Sequence, residues 1–289
     1  MKIIDRLKEK RVNISFEIFP PKTDTGYEGV VNAAKEMAKA SPAFISVTYG
    51  ASGGTSANTT QIAAYVKQEL GIESLAHLTC ASSTKEEVLQ VIASLKKANI
   101  ENVLALRGDK PAENHFPKDN QYQYASDLVK LLKQEGDFCI GAACYPEGHV
   151  ENEHKVDDLK YLKHKVDCGV DFLTTQMFFD NAVLYNFLYR IREAGIYTPV
   201  VAGIMPVTNG KQIKRICELS GAVLPVRFKA IVDCFGDTPK AMMQAGIAYA
   251  TDQIIDLLAN GVTNIHVYSM NKPEVALGIM NNLSEIVGQ

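Results

Sequence analysis

The chain has no run of Lys or Arg longer than a few residues, and its 289 residues carry a net charge of −3 with a pI near 6.1. A nucleic-acid surface needs a basic stripe to neutralise phosphates, so this charge balance argues against that class of partner. No apolar run approaches the roughly 18–20 residues of a membrane span. The N-terminal M-K-I-I-D-R-L-K-E-K has apolar residues at helical spacing but no long apolar centre, so it does not read as a secretory signal. None of the six cysteines (Cys80, Cys139, Cys144, Cys168, Cys217, Cys234) falls in a C-x-x-C pair, and most lie in apolar surroundings. Buried free thiols in a reducing cytoplasm are expected in place of a disulfide framework. No linker or low-complexity stretch divides the chain, so residues 1–289 read as a single domain.

What is present is ordinary for a globular protein, 46% hydrophobic and 22% charged, and supports a sizeable core. After a helix near Ile3–Lys10, strand-like and helical patterns alternate. Strands are expected at Asn13–Phe19, Phe44–Thr48, Leu75–Thr79, Val103–Leu106, Phe138–Ala143, Phe172–Gln176, Val200–Gly203 and Ile265–Tyr268. Short, fully apolar strand cores separated by amphipathic helices indicate βαβ units and a parallel sheet. Eight strands recurring at about thirty residues close a (β/α)8 TIM barrel. The open doubly wound sheet is the competitor, but no G-x-G-x-x-G follows the first strand, where a dinucleotide-binding version would need it. The extra N-terminal helix, a helical region at Pro225–Asn260 broken at Gly236–Pro239, and a last helix at Lys272–Ile286 are additions before and after the last strand.

Ser15–Pro21, S-F-E-I-F-P-P, places Glu17 among aromatic and branched neighbours at a strand end. A carboxylate there must find partners or be driven toward its neutral form. A carboxyl that keeps its proton near neutral pH is what a general acid needs. Polar groups stand at the other strand ends too: Thr48-Tyr49-Gly50, His77 with Thr79, Arg107-Gly108-Asp109, Tyr145–His149, Gln176, Pro206 with Gln212, and Tyr268 with Asn271. In a barrel these converge on the C-terminal face, where such enzymes keep their sites.

Taken singly, these features have plain readings. Arg107-Gly108-Asp109 alone favours a strand-end ion pair over an anion or ring contact. The polar loop Lys110–Gln123 is long enough to be functional or mobile, and the helix that begins after Tyr124 offers an N-terminus to an anion. The small residues Gly141-Ala142-Ala143 would leave room above the barrel. Lys163, His164 and Lys165 read as a solvated helix face, although Lys165 could instead meet a phosphate. Gln176 could cap a loop or meet a donor–acceptor edge such as a pterin's. Gly50–Thr55 is either a flexible connection or a phosphate nest. His149 and His154, five apart, share no helix face, and no metal site is expected.

Together the fragments resemble the methylenetetrahydrofolate reductase family of the bacterial, single-domain type. The resemblance runs in order through S-F-E-I-F-P-P, S-V-T-Y-G-A, H-L-T-C, A-L-R-G-D-K-P, Y-A-S-D-L-V, A-A-C-Y-P-E-G-H, T-Q-M-F-F-D, G-I-M-P-V and H-V-Y-S-M-N-K, almost the whole chain. It implies a barrel holding FAD at its top face and reducing 5,10-methylenetetrahydrofolate to 5-methyltetrahydrofolate in two half-reactions, with NADH or NADPH as donor. It also implies Glu17 as general acid and Asp109 as an acidic group near flavin and folate. Thr48, Tyr49, Ala51, His77, Arg107, Gly108, Asp109, Tyr124, Ala125, Tyr145, His149, Asp158 and Lys165 match its FAD-contacting positions. Gln176, Gln212 and Lys272 match its folate positions, and a homo-oligomer is implied.

The chain departs from the family pattern at Ile216, where some members have a phenylalanine. Lys272 stands where some have arginine, a point charge instead of a bidentate fork, and Tyr161 and His164 also differ. Two alternatives use the same residues: a pterin-binding methyltransferase barrel without flavin, and a folate-reducing subunit fed by an electron-transfer partner protein.

Overall fold

In the first strand Ile14, Phe16 and Ile18 alternate with Asn13, Ser15 and Glu17, so opposite faces take the two sets. The computed structural model, which describes residues 1–9, 11–21, 26–49, 56–109, 116–152 and 154–288, turns that alternation into a closed barrel. Its strands are β1 (Asn13–Ile18), β2 (Ile45–Val47), β3 (Ser74–Thr79), β4 (Asn102–Leu106), β5 (Cys139–Cys144), β6 (Phe172–Thr175), β7 (Val200–Ile204) and β8 (Asn264–Val267). They pair in chain order, all parallel, and β8 returns to β1 with Ser15 opposite His266. Glu17 lies opposite Ser46 on the other side.

The helices are α1 (Ile3–Leu7), α2 (Tyr27–Ala38), α3 (Ser56–Gln68), α4 (Lys85–Lys97), α5 (Ala125–Glu135), α6 (Lys155–Asp167), α7 (Asn181–Glu193), α8 (Gly210–Ser220), α9 (Val226–Phe235), α10 (Pro239–Ala259), α11 (Pro273–Asn282) and α12 (Ser284–Val287). Local chemistry fixes several starts. Thr84 and Glu87 form a reciprocal capping box on α4, and the Asp180 side chain caps α7. The expected break in the long helical region separates α9 from α10, with Pro239 at the start of the second. Among the described residues no helix is long and apolar enough to cross a membrane.

Outward-facing Ile14, Phe16, Ile18, Val47, Leu78, Val103, Ile140 and Leu173 pack under the helices in the main core. Inside the barrel, Phe44, Leu75, Leu104, Cys139, Phe172 and Val201 fill the lower layer, and Ile3, Ile4 and Leu7 of α1 close it from below. The inner surface above that layer is not apolar as the strand readings assumed. Ser15, Glu17, Ser46, His77, Thr174 and His266 are all buried there.

Of the small residues of β5, Ala143 lines the cavity above the barrel, as expected, whereas Gly141 serves the core below it. A Cβ on Gly141 would sit 2.6 Å from Phe172 Cζ and 2.9 Å from Leu104 Cδ1, so the space is already filled by the barrel's own core. Gly141→Ala is therefore expected to overpack this layer and to lower stability by about 1–3 kcal/mol, read as a shift of the urea midpoint at unchanged m-value. A third element, Phe179, Val207, Ile213, Phe228, Met242 and Tyr249, binds α8–α10 to the strand ends. Within it the Phe228 and Tyr249 rings stack at 4.1 Å.

Candidate active site

β1 delivers Glu17 to the mouth, and the segment after β8 fixes it there. Ser269 Oγ donates to the Glu17 carbonyl at 2.8 Å. Asn271 takes both backbone groups of Phe19: its Oδ1 accepts from the N–H at 2.7 Å and its Nδ2 donates to the carbonyl at 3.0 Å. Met270 and Asn271 adopt φ of 54° and 55° to make that turn, a conformation L residues adopt at a cost. Asn271, expected among the groups converging on the mouth, is thus a staple on β1.

The Glu17 side chain is buried among three others. Ser46 Oγ lies 3.4 Å from its Oε2, His77 Nε2 3.6 Å and His266 Nε2 3.8 Å. Burial is the dominant influence on His77 and lowers its pKa to about 4, against an opposing pull from Glu17. His77 is thus neutral at physiological pH. Its Nε2 and the Thr174 hydroxyl are buried without a hydrogen-bond partner among the described residues. Tyr268 donates to the Thr175 carbonyl at 2.6 Å, and burial pushes its phenol well up.

Above these groups opens a cavity of about 350 Å³, lined by Glu17, His77, Arg107, Gly108, Asp109, Tyr145, His149 and Gln176 among the residues singled out by sequence. That is the low end of ligand-pocket sizes. Arg107 makes a bidentate pair with Glu151 at 2.9 and 2.6 Å, which holds its guanidinium pKa up. The ion pair read from the triplet is present, and its partner comes from the loop after β5. Gly108 turns at φ 83°, and a Cβ there would stand 3.0 Å from Thr79 Cβ, so the backbone forms the wall itself. Tyr145 packs against His149 edge-on at 4.6 Å. Burial raises the Tyr145 phenol to about 12 and lowers His149, whose Nδ1 accepts from the Glu151 N–H. Gln176 turns its Oε1 back to the Met177 N–H at 3.0 Å.

Other predicted residues stand outside that lining. The Thr48 carbonyl accepts from Thr59 Oγ1 at 2.9 Å, and Tyr49 packs at the edge of the main core. Tyr124, largely exposed, starts α5, with its N–H on Asp127 Oδ2, and Ala125 is the first helical residue. Asp158 accepts from Asn152 Nδ2 at 2.7 Å. Lys165 reaches the carbonyl of Ala143, a cavity-lining residue, at 2.6 Å, and desolvation lowers its pKa. Gln212 lies exposed on the first turn of α8, and Lys272 donates to Thr208 Oγ1 at 2.6 Å. Ile216 is half-buried on α8. Ala51 and the rest of Gly50–Thr55 lie outside the described residues, as does 110–115 of the fourth-strand loop.

Ser46, His266 and Thr174 went unmarked in the sequence reading because each sits inside a strand and not at its end. For Ser46 and His266 the signal is the period of two, I-S-V and I-H-V each setting a polar inward residue between apolar outward ones; Thr174, in F-L-T-T, carries no such signal.

A closed parallel barrel with a buried carboxylate and convergent polar groups at its C-terminal mouth defines a (β/α)8 enzyme. The chain belongs to the methylenetetrahydrofolate reductase family, whose model matches residues 2–284; these are oxidoreductases acting on a CH–NH group. It is 35% identical over 273 residues to 5,10-methylenetetrahydrofolate reductase of Pectobacterium carotovorum subsp. carotovorum, covering 94% of this chain and 90% of the relative. Methylenetetrahydrofolate reductase (NADH) 1 of Arabidopsis thaliana is 34% identical over 303 residues. That match covers 99% of this chain, which spans about half (51%) of the plant protein. Among solved structures, a Clostridium thermocellum protein described as binding two copies of 5-methyl-5,6,7,8-tetrahydrofolic acid superposes with a TM-score of 0.67. It covers 98% of this chain and 99% of that one at 14% identity, a likeness of fold alone.

Proposed function

We propose that this chain is a cytoplasmic, FAD-dependent enzyme that reduces 5,10-methylenetetrahydrofolate to 5-methyltetrahydrofolate with electrons from NADH or NADPH, and that Glu17 is its general acid. The observation that carries the reading is the position of Glu17. In a chain of this family, its carboxyl is the acidic group buried at the floor of the cavity, between Ser46, His77 and His266.

The residues present suit a flavin. The unpartnered His77 Nε2 and Thr174 hydroxyl want a polar ligand edge. Gly108 lets a planar ring approach the backbone, and an anionic group there would share the Arg107 guanidinium with Glu151, which already pairs with it. His77, Arg107, Gly108, Asp109, Tyr145 and His149 would hold it. When bound, FAD would supply the two-electron carrier between a nicotinamide donor and the folate.

The chain's own contribution is proton handling and orientation. The Glu17 carboxyl passes its proton to the bridging N10 of the substrate, and the bond from that nitrogen to the methylene carbon breaks. The carbon, now double-bonded to N5, becomes electrophilic enough to be reduced. His77, neutral, adds no competing positive charge beside the acid. Gln176 offers its side-chain NH2 to the pterin edge.

Purified protein that takes up FAD with a spectral change supports the reading, whereas protein that is colourless and takes up none overturns it. Asp109, exposed at the rim, is expected to influence both partners of the carrier. Asp109→Asn should slow flavin reduction and folate reduction alike, by roughly tenfold, measured as two separate stopped-flow half-reactions.

A further inference from the structure

Beside Glu17 at the cavity floor, where His266 also lines the opening, side chains from β8, β1 and β2 form a continuous hydrogen-bonded chain. Ser15 Oγ donates to the Ile265 carbonyl at 3.0 Å. A hydroxyl has one hydrogen; when it sits on that carbonyl, Ser15 accepts from His266 Nδ1, 2.8 Å away, and Nδ1 carries the ring hydrogen. In the neutral imidazole Nε2 is then an acceptor. The donor that reaches it is Ser46 Oγ at 3.1 Å. The same hydroxyl also lies 3.4 Å from Glu17 Oε2. One hydrogen therefore has two acceptors, and the state of Glu17 decides between them.

The ring cannot turn away from this arrangement. Phe44 stacks on it at 5.7 Å and Tyr268 meets it edge-on at 5.3 Å. The other titratable groups facing Glu17 do not replace Ser46: His77 Nε2 stands 3.6 Å off on β3, and the Tyr268 hydroxyl is committed to the Thr175 carbonyl.

We propose that Ser46 and His266 are positioning residues for the Glu17 acid, the Ser46 hydroxyl hydrogen turning from His266 Nε2 to Glu17 Oε2 as the carboxyl gives up its proton. The proposal rests on the reading of Glu17 as general acid. While the carboxyl is protonated, Oε2 needs no donor and Ser46 serves His266. When the proton leaves for the substrate nitrogen, the carboxylate attracts the hydroxyl more strongly than a neutral ring nitrogen does, and Ser46 rotates about its Cβ–Oγ bond. The turn of Ser46 itself breaks no covalent bond; the one bond broken within the chain is the Glu17 O–H, whose proton forms the N–H bond on the substrate nitrogen. After product departs, Glu17 takes a proton from cavity water and Ser46 returns. His266 is the parking place that keeps the hydrogen ordered between turnovers, so the acid is both stable when protonated and stabilised once it has reacted.

The test combines ¹⁵N-histidine NMR on the purified protein with single-turnover kinetics of the loaded enzyme. The expected spectrum has His266 protonated at Nδ1 with a hydrogen-bonded Nε2, and in Ser46→Ala the Nε2 resonance moves to that of a free ring nitrogen. In the same variant folate reduction slows by about tenfold or more, while flavin reduction by the nicotinamide stays within twofold. Ser46→Thr, which keeps the hydroxyl, recovers most of the folate rate. His266→Asn, which keeps the donor to Ser15 but removes the acceptor, slows folate reduction as Ser46→Ala does. Finding His266 protonated at Nε2 alone overturns the proposal. So do Ser46→Ala and His266→Asn enzymes that reduce folate within twofold of wild type while Glu17→Gln is blocked. If Glu17→Gln itself reduces folate at the wild-type rate, the acid reading fails first and the positioning role falls with it.

Discussion

Glu17→Gln is expected to leave a folded protein that binds FAD and is reduced by NADH or NADPH at close to the wild-type rate, yet reduces methylenetetrahydrofolate at least ~100-fold more slowly. The size follows from what a positioned general acid contributes, typically ~10²–10⁴-fold. The amide keeps the shape and the hydrogen-bonding reach of the carboxyl, so packing against Ser46, His77 and His266 is preserved. What it loses is a proton it can give away. The backbone clamp by Ser269 and Asn271 acts on main-chain atoms and is indifferent to the substitution, so a defect confined to the folate half-reaction is separable from misfolding. A variant that turns over folate at the wild-type rate removes Glu17 from the mechanism.

The second large effect concerns stability. His77 is buried, and its folded pKa lies near 4, against an unperturbed value of 6.5, because desolvation outweighs the attraction of Glu17. The sign follows from proton counting. Above pH 6.5 neither the folded nor the unfolded chain protonates this ring, and the full stability is present. Between pH 6.5 and 4 the unfolded chain binds a proton that the folded one refuses, so stability falls as the pH falls. The linked loss approaches about 3 kcal/mol by pH 4. Urea midpoints of wild type across this range should decline more steeply than those of His77→Gln, whose side chain does not titrate. Parallel declines in the two proteins would assign the acid sensitivity to other groups.

The eight strands were legible because parallel strands need apolar outward faces, and Phe16, Val47, Leu78, Val103 and Leu173 supply them in short runs bounded by turns. The mouth was legible for a related reason: residues such as Arg107 and Tyr145 follow those runs directly. The barrel's inner face was harder to see. Ser46 occupies the middle of I-S-V and His266 the third place of N-I-H-V, where a single polar residue looks like an interruption of an apolar strand until the closed sheet brings three such interruptions to one carboxylate. Partners far apart in sequence were equally hidden. Glu151 answers Arg107 from another loop, and Phe172 fills the space that Gly141 vacates. Asn271 was visible as a strand-end polar residue, but its work is to close the left-handed turn that holds β1.

The most direct test of the account is an anaerobic titration of the FAD-loaded protein, first with NADH or NADPH and then with methylenetetrahydrofolate, followed by its absorbance and by analysis of the folate. The nicotinamide is expected to bleach the flavin band, and methylenetetrahydrofolate to restore it with stoichiometric 5-methyltetrahydrofolate. A flavin that bleaches but is not reoxidised by the folate, with no methyl product formed, would contradict it.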